Sequence, residues 1–379
     1  MSELRLYDRS RVVTDWSCPR KRWWQYEYDG KGIVSGNTHL ELFLGTCLHD
    51  GLAAIAHQHL SDTVDIDAVS AAARKQMIDA LLAQTTGEVD EVNFANEQAA
   101  LVEGLLRGFH KHVWPRLMTQ YPVIMCIEQE MTYEHDALVF MAKPDLVLAD
   151  TEGNIWYIEY KSTSSKKEGW LNSWNTAVQL HSSIRAIEST IHEKVSGVIV
   201  VGLYKGFESY GKQSSPMCYS YKRNGNPPFS QDEVMYEYKA GFKRYPTWEM
   251  PGGVKAWVEG MPANILADQY PQTPPIFVKD DLVDKFFQQR SYREKEIQHA
   301  LKMIVNADDP EWGKQLLEVA FPQKFDQCQP GWGKWGKSCQ YLKICHGHVE
   351  NPLLEGFEWR VPHHKPELEQ WEQQEQQNG

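Results

Sequence analysis

The stretch from Leu138 to Ser162, "LVFMAKPDLVLADTEGNIWYIEYKS", constrains this chain more than any other. Two runs of alternating apolar side chains flank "DTEGN" at 150–154, five residues with strong turn chemistry. A symmetric hairpin loop there fixes the register, so that Ala149 faces Ile155, Val147 faces Tyr157 and Asp145 faces Glu159. Directly opposed residues on one face hold their Cβ atoms ~5 Å apart. Lys161, two residues beyond Glu159, points to the same face because strand side chains alternate. The register therefore gathers Asp145, Glu159 and Lys161 into one cluster. Two facing carboxylates raise one another's pKa unless a cation lies between them. A divalent metal resolves that conflict, and hard Mg²⁺ prefers one or two carboxylates with water and phosphate oxygen. The alternative is an exposed hairpin face whose charges are screened by water and by Lys161.

The surrounding pattern sets the fold class. Residues 8–28, "DRSRVVTDWSCPRKRWWQYEY", read as a basic, aromatic, helix-rich segment, and residues 38–60 and 95–118 carry helical apolar spacing. Alternating strand patterns follow in "VIMCIEQEMTYE", "LVFMAKPDLVLAD" and "IWYIEYKS". A helix from about Ser173 to Thr190 leads into the buried strand "GVIVVGLY". Beyond it lie an irregular aromatic and basic stretch to about Pro251, a largely helical segment to about Ala320, and a loop-rich end with three cysteines. No internal repeat of solenoid period is present. This order predicts an α/β fold, a mixed sheet core flanked by helices, with helical accessory lobes. The expected division is an N-terminal helical segment (1–120), a core sheet (121–204), an accessory insertion and helical segment (205–320), a cysteine loop (321–350) and a tail (351–379). From Pro366 the tail has four glutamates and no basic residue, which predicts a solvated, frayed end.

Composition narrows the function classes. An apolar fraction of 42% and 14 tryptophans mark a folded chain. "MSELRLYDRSRV" has no apolar core of a secretory signal, and the longest apolar run, Val195–Tyr204, is half a membrane span. Seven cysteines without an export signal speak against a disulfide framework. A soluble, cytoplasmic protein with no membrane contact is expected. The net charge of −12, taken alone, argues against nucleic acid, yet Lys161–Lys255 carries 13 basic against 8 acidic side chains. Local charge decides where a phosphate backbone can lie.

"KPDLVLAD" with "IEYKS" resembles the PD-(D/E)XK nuclease superfamily, as Pro144-Asp145 followed by Glu159-x-Lys161. More narrowly, the chain is similar to the RecB-like exonucleases, including the CRISPR-associated ones and the nuclease domain of AddB, and so implies a restriction-endonuclease-like fold. In that group a "CPRK" segment precedes a helix ending in G-x-x-x-H, here Cys18–Lys21 and Gly45 to His49. A Gln on the helix after the E-x-K strand matches Gln179, and three cysteines close the domain. The resemblance runs from about residue 10 to 348. It departs at Ser183, where an aromatic commonly follows the Gln by four, and between Cys328 and Cys339, where ten residues replace a C-x-x-C spacing.

The resemblance implies a metal-dependent DNA exonuclease acting on single-stranded or resected ends in recombination, repair or phage DNA processing, with a recombination or helicase partner. Asp145, Glu159, His49 and the main-chain carbonyl of Tyr160 would hold Mg²⁺ or Mn²⁺. Lys161 would orient the attacking water, and Gln179 would hydrogen-bond near Lys161 or the substrate phosphate. On the residues alone, His49 and Gln179 are ordinary members of helices. Cys18, Cys328, Cys339 and Cys345 supply four thiolates that suit either a [4Fe–4S] cluster or structural Zn²⁺. Zinc with three Cys and His346 or His348 is a further form, and the resemblance favours [4Fe–4S]. Cys47, Cys126 and Cys218 read as buried thiols. Arg20, Lys21 and Arg22, beside Trp23, Trp24 and Tyr26, offer charge and stacking for a single strand, or else buried helix aromatics. The rival function is a non-catalytic or endonucleolytic nucleic-acid-binding subunit on the same fold. The intact Asp145, Glu159 and Lys161 set argues against a non-catalytic one.

"GWGKWGKS", residues 331–338, fits the P-loop pattern G-x-x-x-x-G-K-[ST]. Upstream "PQKFDQCQP" has no apolar run, and downstream "CQYLKICHG" is stopped by Gly347. A true P-loop needs a buried strand before it and a sustained helix after it. The match is read as a glycine-rich connector of the cysteine loop.

Overall fold

The computed structural model describes residues 6–36, 40–83, 89–164, 168–205, 218–222, 236–239, 242–246, 252–261, 263–328, 339–347, 351–362, 364–365, 367–369 and 371–372. The chain opens with β1 (Leu6–Asp8), α1 (Arg9–Ser17), α2 (Pro19–Arg22), a single π-helical turn (Trp23–Glu27) and β2 (Ile33–Ser35). Helices α3 (Leu40–His59), α4 (Ile66–Leu82), α5 (Val89–His112) and α6 (Trp114–Gln120) follow. Next come β3 (Val123–Ile127), β4 (Met131–His135), β5 (Leu138–Ala142), β6 (Leu146–Ala149) and β7 (Ile155–Thr163). Helices α7 (Glu168–Ser173) and α8 (Val178–Ile191) lead to β8 (Val195–Tyr204). Strands β9 (Cys218–Lys222), β10 (Tyr236–Lys239) and β11 (Phe242–Pro246) form their own antiparallel sheet. The chain closes with α9 (Gly253–Gly260), α10 (Ala263–Asp268), α11 (Asp280–Val305), α12 (Pro310–Ala320), α13 (Phe325–Cys328), α14 (Leu342–Cys345) and β12 (Phe357–Trp359).

The central sheet has strand order β3-β6-β7-β8, with the first two pairings antiparallel and β7–β8 parallel. Its hairpin pairs Ala149 with Ile155 and Val147 with Tyr157, the register expected from the turn. Alternation divides its side chains between two faces. Leu146, Leu148, Ile158 and Tyr160 join a core with Leu48 and Leu52 of α3 and Leu105 and Phe109 of α5. Val147, Tyr157 and Val198 meet Leu180, Ile184 and Ile187 of α8, whose spacing is one helical stripe. Helices thus cover both faces, so β6 is buried on both sides where its alternation alone predicted one. Ile276 and Gln272 bridge the outer side of β8 and cover that edge. This is a mixed α/β fold of the restriction-endonuclease-like kind. Among the described residues, no helix is long and apolar enough to cross a membrane.

A second sheet, β1-β5-β4, rests on Phe286 and Phe287 of α11. Its presence divides two sequence runs that read as continuous strand patterns. "VIMCIEQEMTYE" splits into β3 and β4, "LVFMAKPDLVLAD" splits into β5 and β6, and the halves belong to different sheets. The causes are local. Glu128 adopts φ 46, a left-handed conformation that ends a ladder, and Pro144 has no N–H to donate. The two breaks lie side by side, the Glu128 N–H donating to the Asp145 carbonyl at 3.1 Å.

Three further departures have physical reasons. The helix expected from Ser173 starts at Val178, after a 3-10 turn at Trp174–Thr176. Helix α4, unmarked by strong apolar spacing, is carried by alanines and other good helix formers. The tail is not wholly frayed. Before Pro366, β12 pairs with β2, and beyond it Glu367 meets Arg11 at 2.7 Å and Arg360 at 2.6 Å. Both arginines are buried, and leaving them unpaired would cost more than ordering the chain around Glu367.

Candidate active site

The paired breaks between sheets place two carboxylates, and helix α3 supplies an imidazole. Leu44, Leu48, Leu52 and Ile55 anchor α3 in the core, which holds His49 half-buried at the rim of the sheet. His49 Nδ1–H donates to Asp145 Oδ1 at 3.0 Å and to Glu128 Oε1 at 3.3 Å. The other Asp145 oxygen accepts the Tyr160 N–H at 2.6 Å. The other Glu128 oxygen lies 2.7 Å from Lys143 Nζ. One ligand atom each from His49, Glu128 and Asp145 lie within 4.8 Å of one another. Glu128 escaped sequence reasoning because it alternates with Glu130 and Glu134 like the wet face of one strand. Only the break at its left-handed backbone turns it inward, and a strained residue of this kind is a pointer to a functional site.

Glu159 lies beside this group, fully buried. The Tyr157 hydroxyl, the Gln179 amide and the Lys161 ammonium all donate to its carboxylate. Burial, and then the Asp145 charge, push the Glu159 pKa up against the pull of Lys161 and Arg9. Burial acts in the same direction on Asp145, but the His49 charge and hydrogen bond, Lys161 and the Tyr160 N–H outweigh it. Asp145 therefore sits below the usual carboxylate range. Burial alone would depress His49, yet the Asp145 charge and the hydrogen bonds to both carboxylates push it up to about 10. The protein thus splits its carboxylates into one held ionised and one inclined to hold a proton. Close anions do this when no metal lies between them. The two carboxylates suit Mg²⁺ or Mn²⁺, and an imidazole nitrogen beside them suits the softer Mn²⁺ better than Mg²⁺.

The residues expected from the sequence are distributed unevenly. His49 and Asp145 stand together with Glu128. Glu159 is turned toward Tyr157, Gln179 and Lys161, and Tyr160 gives its N–H to Asp145. Cys18 is buried at the joint between α1 and α2, and Cys328 is buried at the end of α13. Burial raises the Cys339 thiol and pushes Cys345 up to about 11. Cys339 also feels the charges of Cys328 and Cys18, and Cys345 those of Cys339 and Cys328. The four therefore lie in one neighbourhood. The Trp24 indole N–H donates to Cys345 Sγ at 3.2 Å, and the Gln323 amide donates to Cys328 Sγ at 3.3 Å. Of the other thiols, Cys47 is buried and Cys126 is half-buried, while the Cys218 side chain lies outside the described residues.

The basic segment expected to meet DNA is placed otherwise. Arg22 is fully buried and grips both Glu294 oxygens at 2.6 Å, with Glu27 at 3.2 Å. Arg20 is buried, donating to the Phe321 carbonyl at 2.8 Å and pairing with Glu318. Lys21 is half-buried and its charge acts on the Cys339 thiol. Trp23 packs on Phe321 and Trp24 on Tyr28. These side chains clamp α2 to the far end of the chain, because the acidic partners, buried Glu294 above all, demand a cation. "GWGKWGKS" lies outside the described residues. Its flanks are the four-residue helices α13 and α14, neither of them a buried strand.

A mixed sheet with an acidic cluster where its strands change sheets, and a lysine two residues beyond the second hairpin carboxylate, fits a metal-dependent nuclease. Residues 10–346 match the PD-(D/E)XK nuclease superfamily, and the chain belongs to it. The members are metal-dependent phosphodiesterases, so the substrate is nucleic acid. No curated protein matches this sequence.

Proposed function

We propose that this protein is a RecB-like DNA exonuclease that hydrolyses phosphodiester bonds at single-stranded or resected ends. The observation that carries the reading is the cluster at the sheet switch, with ligand atoms of His49, Glu128 and Asp145 within 4.8 Å of one another. In this reading those residues hold Mg²⁺ or Mn²⁺, joined by Glu159 and the Tyr160 carbonyl. An ion bound there would lower the pKa of a water and neutralise charge building on the phosphate. Lys161, released from Glu159, turns its ammonium to the reacting water or to a phosphate oxygen, where negative charge develops. Gln179 keeps the Glu159 carboxylate in place. The Tyr157 hydroxyl keeps its proton, because burial and the Glu159 charge raise its pKa far above ten.

Cys18, Cys328, Cys339 and Cys345 hold a [4Fe–4S] cluster in this reading, with Zn²⁺ as the alternative. The N–H groups of Trp24 and Gln323 point at two of the sulfurs, where they would meet the sulfurs of a bound cluster. The cluster joins the ends of the chain and takes no part in the chemistry.

Digestion of end-labelled single- and double-stranded DNA with Mg²⁺, Mn²⁺ or EDTA tests the proposal. Metal-dependent shortening from single-stranded ends is expected. Intact strands with both metals would overturn it.

A further inference from the structure

A cleft of about 430 Å³ opens between the start of α1 and the junction of α7 with α8. It is lined by Arg9, Ser10, Val13, Trp174, Ala177 and Gln179. Gln179 connects it to the reacting groups, since the same amide donates to Glu159. Arg9 stands close enough for its charge to act on Glu159, and it has no ion-pair partner among the described residues. Trp174 is braced edge-on by Trp170, with ring centroids 5.8 Å apart at 76°. Its indole N–H is buried with no acceptor among the described residues. Val13, on the facing wall, is 44% exposed.

The cleft therefore offers an aromatic ring, a free guanidinium and a small apolar wall within reach of the acidic centre. Each element has a natural counterpart in a nucleotide. A base stacks on an indole, and a guanidinium binds a phosphate through paired N–H donors. The volume lies within the ~300–1,000 Å³ of small-ligand pockets. One unpaired nucleotide fills such a space, whereas a base pair brings twice the rings and twice the backbone.

We propose that this cleft is the subsite for the unpaired nucleotide adjoining the scissile phosphodiester of single-stranded DNA. Trp174 stacks on its base and Arg9 pairs with its phosphate. The proposal rests on the nuclease reading and deepens it, giving a physical cause for selection of single strands.

Two measurements on the full chain separate this subsite from the activity itself. The first is fluorescence anisotropy of a short 5′-labelled oligothymidylate in EDTA, where nothing is cleaved. Trp174→Ala should weaken binding about tenfold, and Trp174→Phe, which keeps a stacking face, should restore most of it. Arg9→Gln should reduce the slope of log affinity against log salt by ~0.7, the share of one phosphate contact on a single strand. The second is cleavage, with Mn²⁺, of oligothymidylates carrying one abasic residue walked along the strand. The wild type should show one position where the missing base slows cleavage about tenfold. Trp174→Ala should be indifferent to that position, and Trp174→Phe should remain sensitive. Equal abasic sensitivity in Trp174→Ala and the wild type would overturn the subsite. A wild type that cleaves nothing would overturn the nuclease reading instead, and the binding measurement would still decide the cleft.

Discussion

The His49, Glu128 and Asp145 cluster sits where two strand pairs change sheets, with Glu159 and Lys161 beside it. All except His49 come from one stretch, residues 128–161. The thiol neighbourhood instead joins Cys18 to Cys328, Cys339 and Cys345, from opposite ends of the chain. The first is shaped by ladders that exist for other reasons, since the core packs on both faces of β6 and β7 whether or not Asp145 is present. The second is held by long-range closure, reinforced by Arg20 on the Phe321 carbonyl and Arg22 on Glu294. A change in the first region should cost chemistry and spare the fold. A change in the second should cost the fold and leave the chemistry of the surviving molecules intact.

The largest effect expected is on activity. Asp145→Ala and Lys161→Ala should each lower the rate of DNA cleavage by about 10³-fold, with a melting temperature close to that of the wild type. Parallel loss of stability in both would erase the distinction between the regions. On the other side, Arg22→Ala leaves Glu294 and Glu27 buried without their cation. Urea unfolding should show it less stable by ~3–5 kcal/mol, with its salt dependence of DNA binding unchanged. A flatter salt dependence at full stability would return Arg22 to the DNA surface.

The remaining effects are smaller. Protein purified without oxygen should be brown, with broad absorbance near ~400 nm from thiolate-bound iron. Cys18→Ser should bleach it and lower the melting temperature. A colourless wild type carrying one zinc would select the zinc alternative. Glu128→Gln should weaken Mn²⁺ binding by at least ~10-fold, no less than the loss of an outer partner, seen by calorimetry, and cleavage should recover at raised Mn²⁺. Unchanged Mn²⁺ affinity would remove Glu128 from the metal site. Trp24→Phe removes the donor to Cys345 while keeping a smaller ring against Tyr28, so air bleaching should quicken no more than a few-fold.

The same contrast explains what could be read from the sequence. The register of β6 and β7 was legible because a five-residue turn and a period of two leave no other pairing, but the ladder ends at Leu146 and Ile158, one residue short of Asp145 and Glu159. Glu128 was not, because alternation within "CIEQEMTYE" continues unbroken through a residue whose backbone turns left-handed. Arg20 and Arg22 looked available for DNA because basic residues next to tryptophans suit a single strand. Nothing local announces Glu294, 272 residues away, as the partner that buries Arg22. Four cysteines could be grouped only through family resemblance, since closure over such a span leaves no periodic trace. The docking of the tail through Glu367 was hidden for the same reason.

A change of sheet, and not the hairpin alone, brings the candidate metal ligands His49, Glu128 and Asp145 together. Anomalous diffraction from crystals soaked in Mn²⁺ tests this directly. An ion bounded by His49, Glu128 and Asp145 is the result expected. An ion held by Glu159 with Glu128 and His49 both turned away would contradict it.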